Sequence, residues 1–351
     1  MMGSDSTTPI SLTANTTTGD LVAGIGWFWS ISAPGTISAI VLITIQTILT
    51  LCVLFGNGLV VVAFWRFKRL RISKTNYFLS SLAACDLLYG LSVSFGLAVV
   101  YLDVLSRNKY VCLVHSTATS IWIAMSVFSL FCIAVDRLIA VAWPFRYPNI
   151  VTRKSVIITK GVFFVLTLVV SSLPIFGVNE WHNIARCIPP RVLSPVYIIT
   201  CSIFTCLLMF ITLGIYFYIF RIAQSHFARI IDQEGTRDAN GYHRPSLKDL
   251  KAAKMLLLVV IIFIVCWGTS FCLMAVIISN HGYSLSIFIM EHFGYCSILL
   301  SSALNPLVYD FRSDEFRWAF GKLLRRHSVA VDAPERIAEH QWCNSVCEHV
   351  H

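Results

Sequence analysis

Seven stretches of this 351-residue sequence are apolar over membrane-spanning lengths, and this feature constrains the fold more than any other. A helix that crosses about 30 Å of hydrocarbon needs about 20 apolar residues. The predicted segments are Ile37–Phe64, Asn76–Tyr101, Tyr110–Val141, Ser155–Val178, Ser194–Phe220, Ala252–Ser279 and Tyr283–Tyr309. The sequence therefore predicts an all-α membrane protein, a bundle of seven transmembrane helices.

The composition agrees with a chain whose main solvent is lipid. Hydrophobic residues make up 56% of the sequence and charged residues only 13%, whereas a soluble domain has about 25% charged residues. The net charge of +9 does not indicate nucleic-acid binding, because no soluble basic domain carries it. The sequence has no CxxC pair, so we expect no zinc or iron–sulfur site.

An eighth segment, Ser313–Arg326, is too short and too charged to span the membrane. It has Phe316, Phe320, Leu323 and Leu324 on one face, a pattern typical of an amphipathic helix that lies on the membrane surface. We therefore divide the chain into an extracellular N-terminal segment (1–36), the bundle (37–310), the amphipathic helix (311–327) and a cytoplasmic tail (328–351).

Basic residues predict the orientation of the bundle, because they concentrate in cytoplasmic connections. One side has Arg66, Lys68, Arg69, Arg71, Lys74, Arg146, Arg153, Lys154, Arg221, Arg229, Arg237, Arg244, Lys248, Lys251 and Lys254, and the other has Arg107, Lys109, Arg186 and Arg191. The N-terminus is expected outside and the C-terminus in the cytoplasm, in a multi-pass plasma-membrane protein. The polar stretch Ala223–Leu247, with Gly235 and Gly241, is predicted to be a cytoplasmic linker.

Short polar motifs interrupt the apolar segments at Gly56-Asn57, Asp86, Asp136-Arg137 and Asn305–Tyr309. A charge at mid-bilayer costs about 2.5–3.5 kcal/mol on insertion scales, so it usually marks a functional site. Arg137 can pair with Asp136 in its own helix and with Asp249 at the same depth in the sixth segment. A cross-helix pair of this kind is the bistable element that a switch requires, although a solvated helix end is the simpler alternative.

Several of these motifs together resemble the rhodopsin-like (class A) G-protein-coupled receptors. Asp136-Arg137-Leu138 is similar to their Asp-Arg-Tyr motif, Cys266-Trp267 to the start of Cys-Trp-x-Pro, and Asn305–Tyr309 to Asn-Pro-x-x-Tyr. The resemblance extends from about Ile37 to Arg326. It implies a receptor that binds an extracellular ligand and activates heterotrimeric G proteins, with arrestin and receptor kinases as further partners and no enzymatic activity of its own.

The resemblance also assigns roles to individual residues. The expected residues of G-protein coupling and switching are Asp136, Arg137, Asp249, Tyr216, Trp267, Phe263, Asn305, Pro306 and Tyr309. Cys112 and Cys187 correspond to the shared disulfide of the family, with free thiols as the alternative. Asp86 corresponds to a sodium site to which Ser126, Ser301, Ser302 and Asn305 would contribute, and a protonated structural aspartate is the alternative. Asn57 is expected to bond backbone and Asp86.

The ligand is less well defined by the sequence than the switch. The chain looks most like adenosine and aminergic receptors, but Thr119, Met274 and Leu299 replace their ligand-binding Asp, Asn and His. The predicted pocket residues are Thr119, Ile123, Thr200, Phe204, Phe271, Met274 and Tyr295, with His115, Glu291 and His292 nearer the outer rim. Such an apolar lining with hydroxyls suits a neutral or amphipathic small molecule or a lipid.

Several alternatives stay open at this point. An amine, lipid or peptide could be the ligand of the same fold, and a seven-helix transporter is a rival of another class. A non-signalling scaffold is a third reading, because Thr269 and Leu208 replace family prolines that kink the sixth and fifth helices. Asn15 lies in a glycosylation sequon, and Cys343 and Cys347 are candidates for palmitoylation.

Overall fold

The computed structural model describes residues 36–181, 187–233, 247–279, 285–312 and 314–324, and in these ranges the chain is mainly helical. The long helices are α1 (Thr36–Arg66), α2 (Lys74–Tyr101), α3 (Lys109–Ala142), α4 (Arg153–Ser172), α5 (Pro195–Gln233), α6 (Leu247–Ser279), α7 (Leu285–Arg312) and α8 (Asp314–Leu324). Seven of them, α1 to α7, are long and apolar enough to cross a membrane. The predicted all-α bundle with an additional eighth helix is confirmed.

Helix α3 lies at the centre of the bundle and contacts α2, α4 and α5. Further contacts join α1 to α2 and α7, and α6 to α5 and α7. The side chain of Asn108 caps the N-terminus of α3 by accepting hydrogen bonds from the backbone N–H groups of Tyr110 (3.0 Å) and Val111 (3.1 Å). Such a cap satisfies donors that the first helical turn leaves without partners.

Helix α4 is shorter than the sequence predicted, because it ends at Ser172 and not at Val178. Its start is fixed by a reciprocal capping box between Thr152 and Ser155. At its other end Pro174 has no N–H to donate, and the chain turns through Gly177, whose φ of 119° is readily adopted only by glycine.

Helix α5 is longer than predicted and continues to Gln233, through residues that we expected in the linker. The segment after Phe220 contains neither Gly nor Pro before Gly235, and therefore nothing in it interrupts a helix. Polarity alone made this segment resemble a loop. Residues 234–246, the remainder of the predicted linker, lie outside the described ranges.

Helix α8 packs against the C-terminal end of α1 and the N-terminal end of α2. Phe316 and Ala319 are fully buried in a core that also contains Phe64 and Leu79. Leu324, which was predicted on the same apolar face, is 60% exposed. On α2, Asn76 donates a hydrogen bond to the carboxylate of Glu315 at 3.1 Å and so joins the two helices.

The predicted disulfide is confirmed between Cys112, near the N-terminus of α3, and Cys187, in the connection between α4 and α5. The two Cα atoms are 5.6 Å apart, and both cysteines are buried against Val99, Leu113 and Val192. The backbone N–H of Cys187 also donates to the carbonyl of Ser106 at 2.7 Å. This connection is therefore attached covalently to the bundle.

Candidate functional site

The carboxylate of Asp136 is the centre of a network near the C-terminal end of α3. Asp136 is only 2% exposed. Its Oδ1 accepts from the hydroxyl of Tyr147 (2.9 Å), and its Oδ2 accepts from Thr75 Oγ1 (2.9 Å) and Arg137 Nη2 (2.7 Å). Thr75 lies in the first turn of α2, and Tyr147 begins a one-turn helix, Tyr147–Ile150, after α3. The carboxylate therefore joins three elements.

The sequence analysis did not identify Tyr147 as part of this site. Burial raises the pKa of the Tyr147 phenol above its ordinary value, and the nearby charge of Asp136 raises it further. The phenol is consequently protonated at neutral pH and can donate to the carboxylate. The only available signal was a tyrosine eleven residues after Asp136, across a loop whose path the sequence does not define.

Arg137 turns towards Asp136 and α2. Its Nε lies 3.0 Å from Asp136 Oδ2, and its Nη2 also contacts the hydroxyl of Thr75. The expected partner Asp249 lies on α6, but its side chain is outside the described residues, as is that of Tyr309 on α7. Tyr216 is 4% exposed and packs on α3 against Ala134.

A second polar cluster surrounds Asp86, which is completely buried in the middle of α2. Its Oδ1 accepts from Ser126 of α3 (2.8 Å) and Ser302 of α7 (3.2 Å), and its Oδ2 accepts from Asn305 Nδ2 (2.7 Å). Three donors from two neighbouring helices therefore converge on one carboxylate. Oxygen groups of this kind are the donors that hard cations prefer.

Two residues near Asp86 differ from expectation. The hydroxyl of Ser301 donates to the carbonyl of Ile298 on its own helix at 2.7 Å, so it does not point to Asp86. Asn57 donates to the carbonyls of Val53 (3.0 Å) and Ser302 (3.2 Å) and bonds backbone on α1 and α7, without the expected bond to Asp86. Serines adjacent in sequence face different directions on a helix, which a motif alone does not resolve.

Trp267 lies in a compact aromatic cluster above Asp86. Its ring centroid is 5.5 Å from that of Phe263 and 5.7 Å from that of Phe271. Val127 of α3 and Met209 of α5 complete the buried part of this cluster. A change in the position of Trp267 would therefore alter its packing against side chains of α3, α5 and α6.

Helix α6 has a substitute for its missing proline. The hydroxyl of Thr269 donates to the carbonyl of Val265 at 2.9 Å, a back-bond that often bends helices slightly. One residue later, Ser270 donates to the carbonyl of Gly294 on α7 at 3.0 Å. The bond from Ser270 attaches α6 to α7 close to Trp267.

The structure brings only some of the predicted pocket residues together. Ile123 and Phe271 pack against the Trp267 cluster, and Thr119, Met274 and Tyr295 are partly buried. Phe204 is 51% exposed and Thr200 is also exposed, and neither belongs to that cluster. The residues of α5 that take part are Met209, which belongs to the cluster, and Leu208, which packs against it.

The half of the bundle that carries the Cys112–Cys187 disulfide, which we call the outer half, contains several buried polar atoms without partners. In the described part of the chain, Gln46 Oε1, Tyr89 Oη, Thr117 Oγ1, Thr119 Oγ1 and Trp267 Nε1 are buried without a hydrogen-bond partner, as is Asn57 Oδ1 nearer to Asp86. Each such atom carries a penalty of about 1–3 kcal/mol unless water or a ligand pairs with it. Sequence reasoning missed Tyr89, although it follows Asp86 by three residues on α2.

Tyr89 and Trp267 belong to two clusters that share neighbouring residues. Both of their clusters include Ile123 of α3 and Ile298 of α7 as partly buried members. The expected rim residues His115, Glu291 and His292 are also buried, at 7%, 9% and 6% exposure. The outer half therefore presents hydroxyls, an indole N–H and ring edges, and its buried carboxylate is Glu291.

Comparison with known proteins gives one family and several relatives. The family described as "7 transmembrane receptor (rhodopsin family)" matches residues 56–309. The cannabinoid receptor 1 of Xenopus laevis is 30% identical over 299 residues, which cover 80% of this chain and 62% of that receptor. The chain thus spans less than two thirds of that relative's length.

Two other relatives bear names that the sequence analysis anticipated. The adenosine receptor A2a of Equus caballus is 29% identical over 329 residues, 85% of this chain and 76% of that receptor. The 5-hydroxytryptamine receptor 4 of Rattus norvegicus is 28% identical over 313 residues, 82% of this chain and 76% of that receptor. The chain is about equally similar to three relatives that are named for different ligands. The comparison therefore indicates the family but does not identify a ligand.

Proposed function

Because the chain belongs to the rhodopsin family of seven-transmembrane receptors, we propose that it binds an extracellular small molecule and activates heterotrimeric G proteins. The observation that carries the proposal is the division of polar groups along the bundle. Asp136 is saturated by donors from three elements, whereas Tyr89, Thr119 and Trp267 have buried polar atoms without partners in the described ranges. A switch needs a hydrogen-bond network that can be broken, such as that of Asp136. It also needs a site that a ligand can fill, such as the region of the unpaired polar atoms.

The ligand acts by binding the active arrangement of helices better than the inactive one. Contact with Trp267 is transmitted to Phe263, Val127 and Met209, which link α6 to α3 and α5. Arg137 then leaves Asp136, and the cytoplasmic end of α6 moves outward to admit the C-terminal helix of a G protein α subunit. The exchange of nucleotide takes place on the G protein, so the receptor itself needs no catalytic group.

The ligand is proposed to be uncharged and to carry hydrogen-bonding groups on an apolar body. Hydroxyls and an indole N–H without partners favour such a molecule, because pairing with them removes a desolvation penalty. A cationic amine is disfavoured because Thr119 replaces the carboxylate that would pair with its ammonium group. Cell-surface placement with the N-terminus outside, and binding of arrestin and receptor kinases, belong to the same proposal.

Removal of the Arg137 side chain tests signalling. We expect Arg137→Ala to reduce agonist-stimulated GTPγS binding by at least about tenfold, because the guanidinium is the group that the G protein would engage. The measurement uses membranes with a promiscuous G protein and a panel of adenosine, 5-hydroxytryptamine and a cannabinoid. Arg146→Ala, which removes an exposed arginine from the connection that follows α3, should retain the response. Solute uptake or ion current without G-protein turnover would contradict the proposal.

We further propose that sodium binds beside Asp86 and stabilises the inactive receptor. Ser126 and Ser302 fit this role because their hydroxyl oxygens lie within 3.2 Å of the Asp86 carboxylate, and Ser301 fits it poorly. No group of three or more His, Cys, Asp or Glu side chains in the described ranges could form a different metal centre.

A comparison of Ser302→Ala with Ser301→Ala tests the sodium site. At a sodium concentration ten times the Kd for sodium, sodium chloride should stabilise the wild-type receptor by about 1.4 kcal/mol. The reference is potassium chloride at the same concentration. Ser302→Ala should weaken this effect and Asp86→Asn should abolish it, whereas Ser301→Ala should leave it unchanged. Thermal unfolding of purified receptor measures all four proteins. Equal losses in the two serine variants would argue against the assignment.

A further inference from the structure

A lysine lies unusually deep in the membrane-spanning part of α4. Lys160 follows the first residue of this helix, Arg153, by seven positions, which corresponds to about 10 Å along the helix axis. Every other Lys or Arg in the described spans lies within five residues of a span's end. A charge at this depth is unfavourable in hydrocarbon, so an intramembrane lysine is a candidate functional site.

The Lys160 side chain points into the junction of α2, α3 and α4. Its Nζ donates to the hydroxyl of Ser129, which is completely buried on α3 and itself donates to the carbonyl of Met125 at 2.6 Å. The ammonium also lies 5.7 Å from the ring centroid of Phe78 and 6.0 Å from that of Phe128. Its surroundings are therefore one hydroxyl acceptor, two aromatic rings and the thiols of Cys85 and Cys132.

These contacts leave the cation incompletely paired. An ammonium group has three N–H donors, and only Ser129 offers Lys160 an oxygen acceptor in the described ranges. No carboxylate in the same ranges forms an ion pair with it, since the described ion pair joins Arg137 to Asp136. An anion at this position would satisfy the remaining donors and neutralise the charge.

The flank of α4 beside Lys160 is open to the lipid. Ile157 is 57% exposed, Phe164 is 37% exposed, and a Cβ added to Gly161 would meet no atom within 4 Å. The opposite flank is closed, because Phe163 stacks on Phe128 with ring centroids 3.6 Å apart. A ligand would therefore approach sideways from the bilayer and lie along an apolar surface that ends at Lys160.

We propose that the ammonium group of Lys160, which Ser129, Phe78 and Phe128 hold in place, binds the carboxylate of a long-chain fatty acid that enters from the bilayer. A carboxylic acid can enter hydrocarbon in its protonated, uncharged form, and nothing within 4 Å of the Cβ position at Gly161 obstructs the approach of its small headgroup. The phosphate of a phospholipid remains charged and anchored at the membrane surface, above this depth. The site faces lipid and is separate from the outer half of the bundle, so it does not depend on the proposed agonist.

The test measures fatty-acid binding to the full-length receptor in phosphatidylcholine nanodiscs, with empty nanodiscs as background. Labelled oleate should bind saturably, and methyl oleate, which has the same chain without a charge, should not compete. Lys160→Met should weaken oleate binding by about tenfold or more, the scale of one charge-assisted hydrogen bond. Lys154→Met is the matched control, because Lys154 is exposed at the cytoplasmic end of the same helix and should bind oleate as the wild type does.

Three results would overturn the assignment. Equal oleate binding by Lys160→Met and the wild type would mean that the lysine takes no part. Competition by methyl oleate would mean that the carboxylate is not recognised, a comparison that needs only wild-type protein if Lys160→Met does not fold. Lys160-dependent binding of phosphatidylserine in place of oleate would assign the site to a phospholipid. Lys160→Arg, which keeps the charge, should retain oleate binding.

Discussion

Asp136→Ala is expected to raise G-protein activation in the absence of agonist several-fold and to lower the free energy of unfolding by about 2–4 kcal/mol. Tyr147, Thr75 and Arg137 all donate to this one buried carboxylate, so its removal leaves three donors without their acceptor. Because the network joins α2, α3 and the following loop, its loss favours arrangements in which the cytoplasmic ends separate. GTPγS binding without agonist and thermal unfolding measure the two effects.

Variants that remove a single donor should have a smaller effect than Asp136→Ala and serve for comparison with it. Tyr147→Phe removes one hydrogen bond but leaves the carboxylate with two donors, so its effect should be about 1 kcal/mol. Asn149→Ala changes an exposed residue of the same short helix and should have no effect on either measurement. Unchanged basal activity and unchanged stability in Asp136→Ala would mean that the network does not restrain the inactive arrangement.

Loss of the outer disulfide should have an effect of similar size through a different mechanism. Cys112→Ser or Cys187→Ser opens a covalent loop with a sequence separation of 75 residues. The stabilisation expected for such a loop is about 2–4 kcal/mol, at the lower end because α3 and α4 remain in lipid when their tertiary contacts are lost. Surface expression and the thermal unfolding of purified receptor should both fall.

The two cysteines should behave as one unit. The double variant should lose no more stability than either single variant, because each single change already breaks the bond. Dithiothreitol should lower the Tm of the wild-type protein to that of the variants. Cys52→Ser, which changes an exposed cysteine outside the disulfide, should leave Tm unchanged. A double variant that loses twice the stability of each single variant would show that the thiols contribute separately.

The features that the sequence predicted correctly are those with a strong physical signal of their own. Long apolar stretches must be helical in lipid, and this requirement is enough to locate the seven spans. The disulfide followed from a family resemblance and not from spacing, since twelve cysteines allow many pairings. The convergence of Ser126, Ser302 and Asn305 on Asp86 also agrees with the resemblance, although their roles stay predictions.

The features that the sequence did not predict depend on contacts between distant residues. The partnership of Tyr147 with Asp136 requires a loop to fold back on α3, and the choice of Ser302 over Ser301 depends on the rotation of α7. Lys160 was overlooked because a single lysine hardly changes the hydropathy of α4. The orientation of its side chain towards Ser129 is visible only when α2, α3 and α4 are assembled.

The length of α5 has a mechanical consequence. The helix continues without a break from Ile222 to Gln233, and this extension is about 16 Å long. A rigid rod that is anchored in the bundle amplifies small rotations, so a tilt of about 10° at Ile222 would displace its tip by about 3 Å. The extension of α5 would thus act as a lever that converts small rearrangements around Met209 and Tyr216 into larger displacements at its tip.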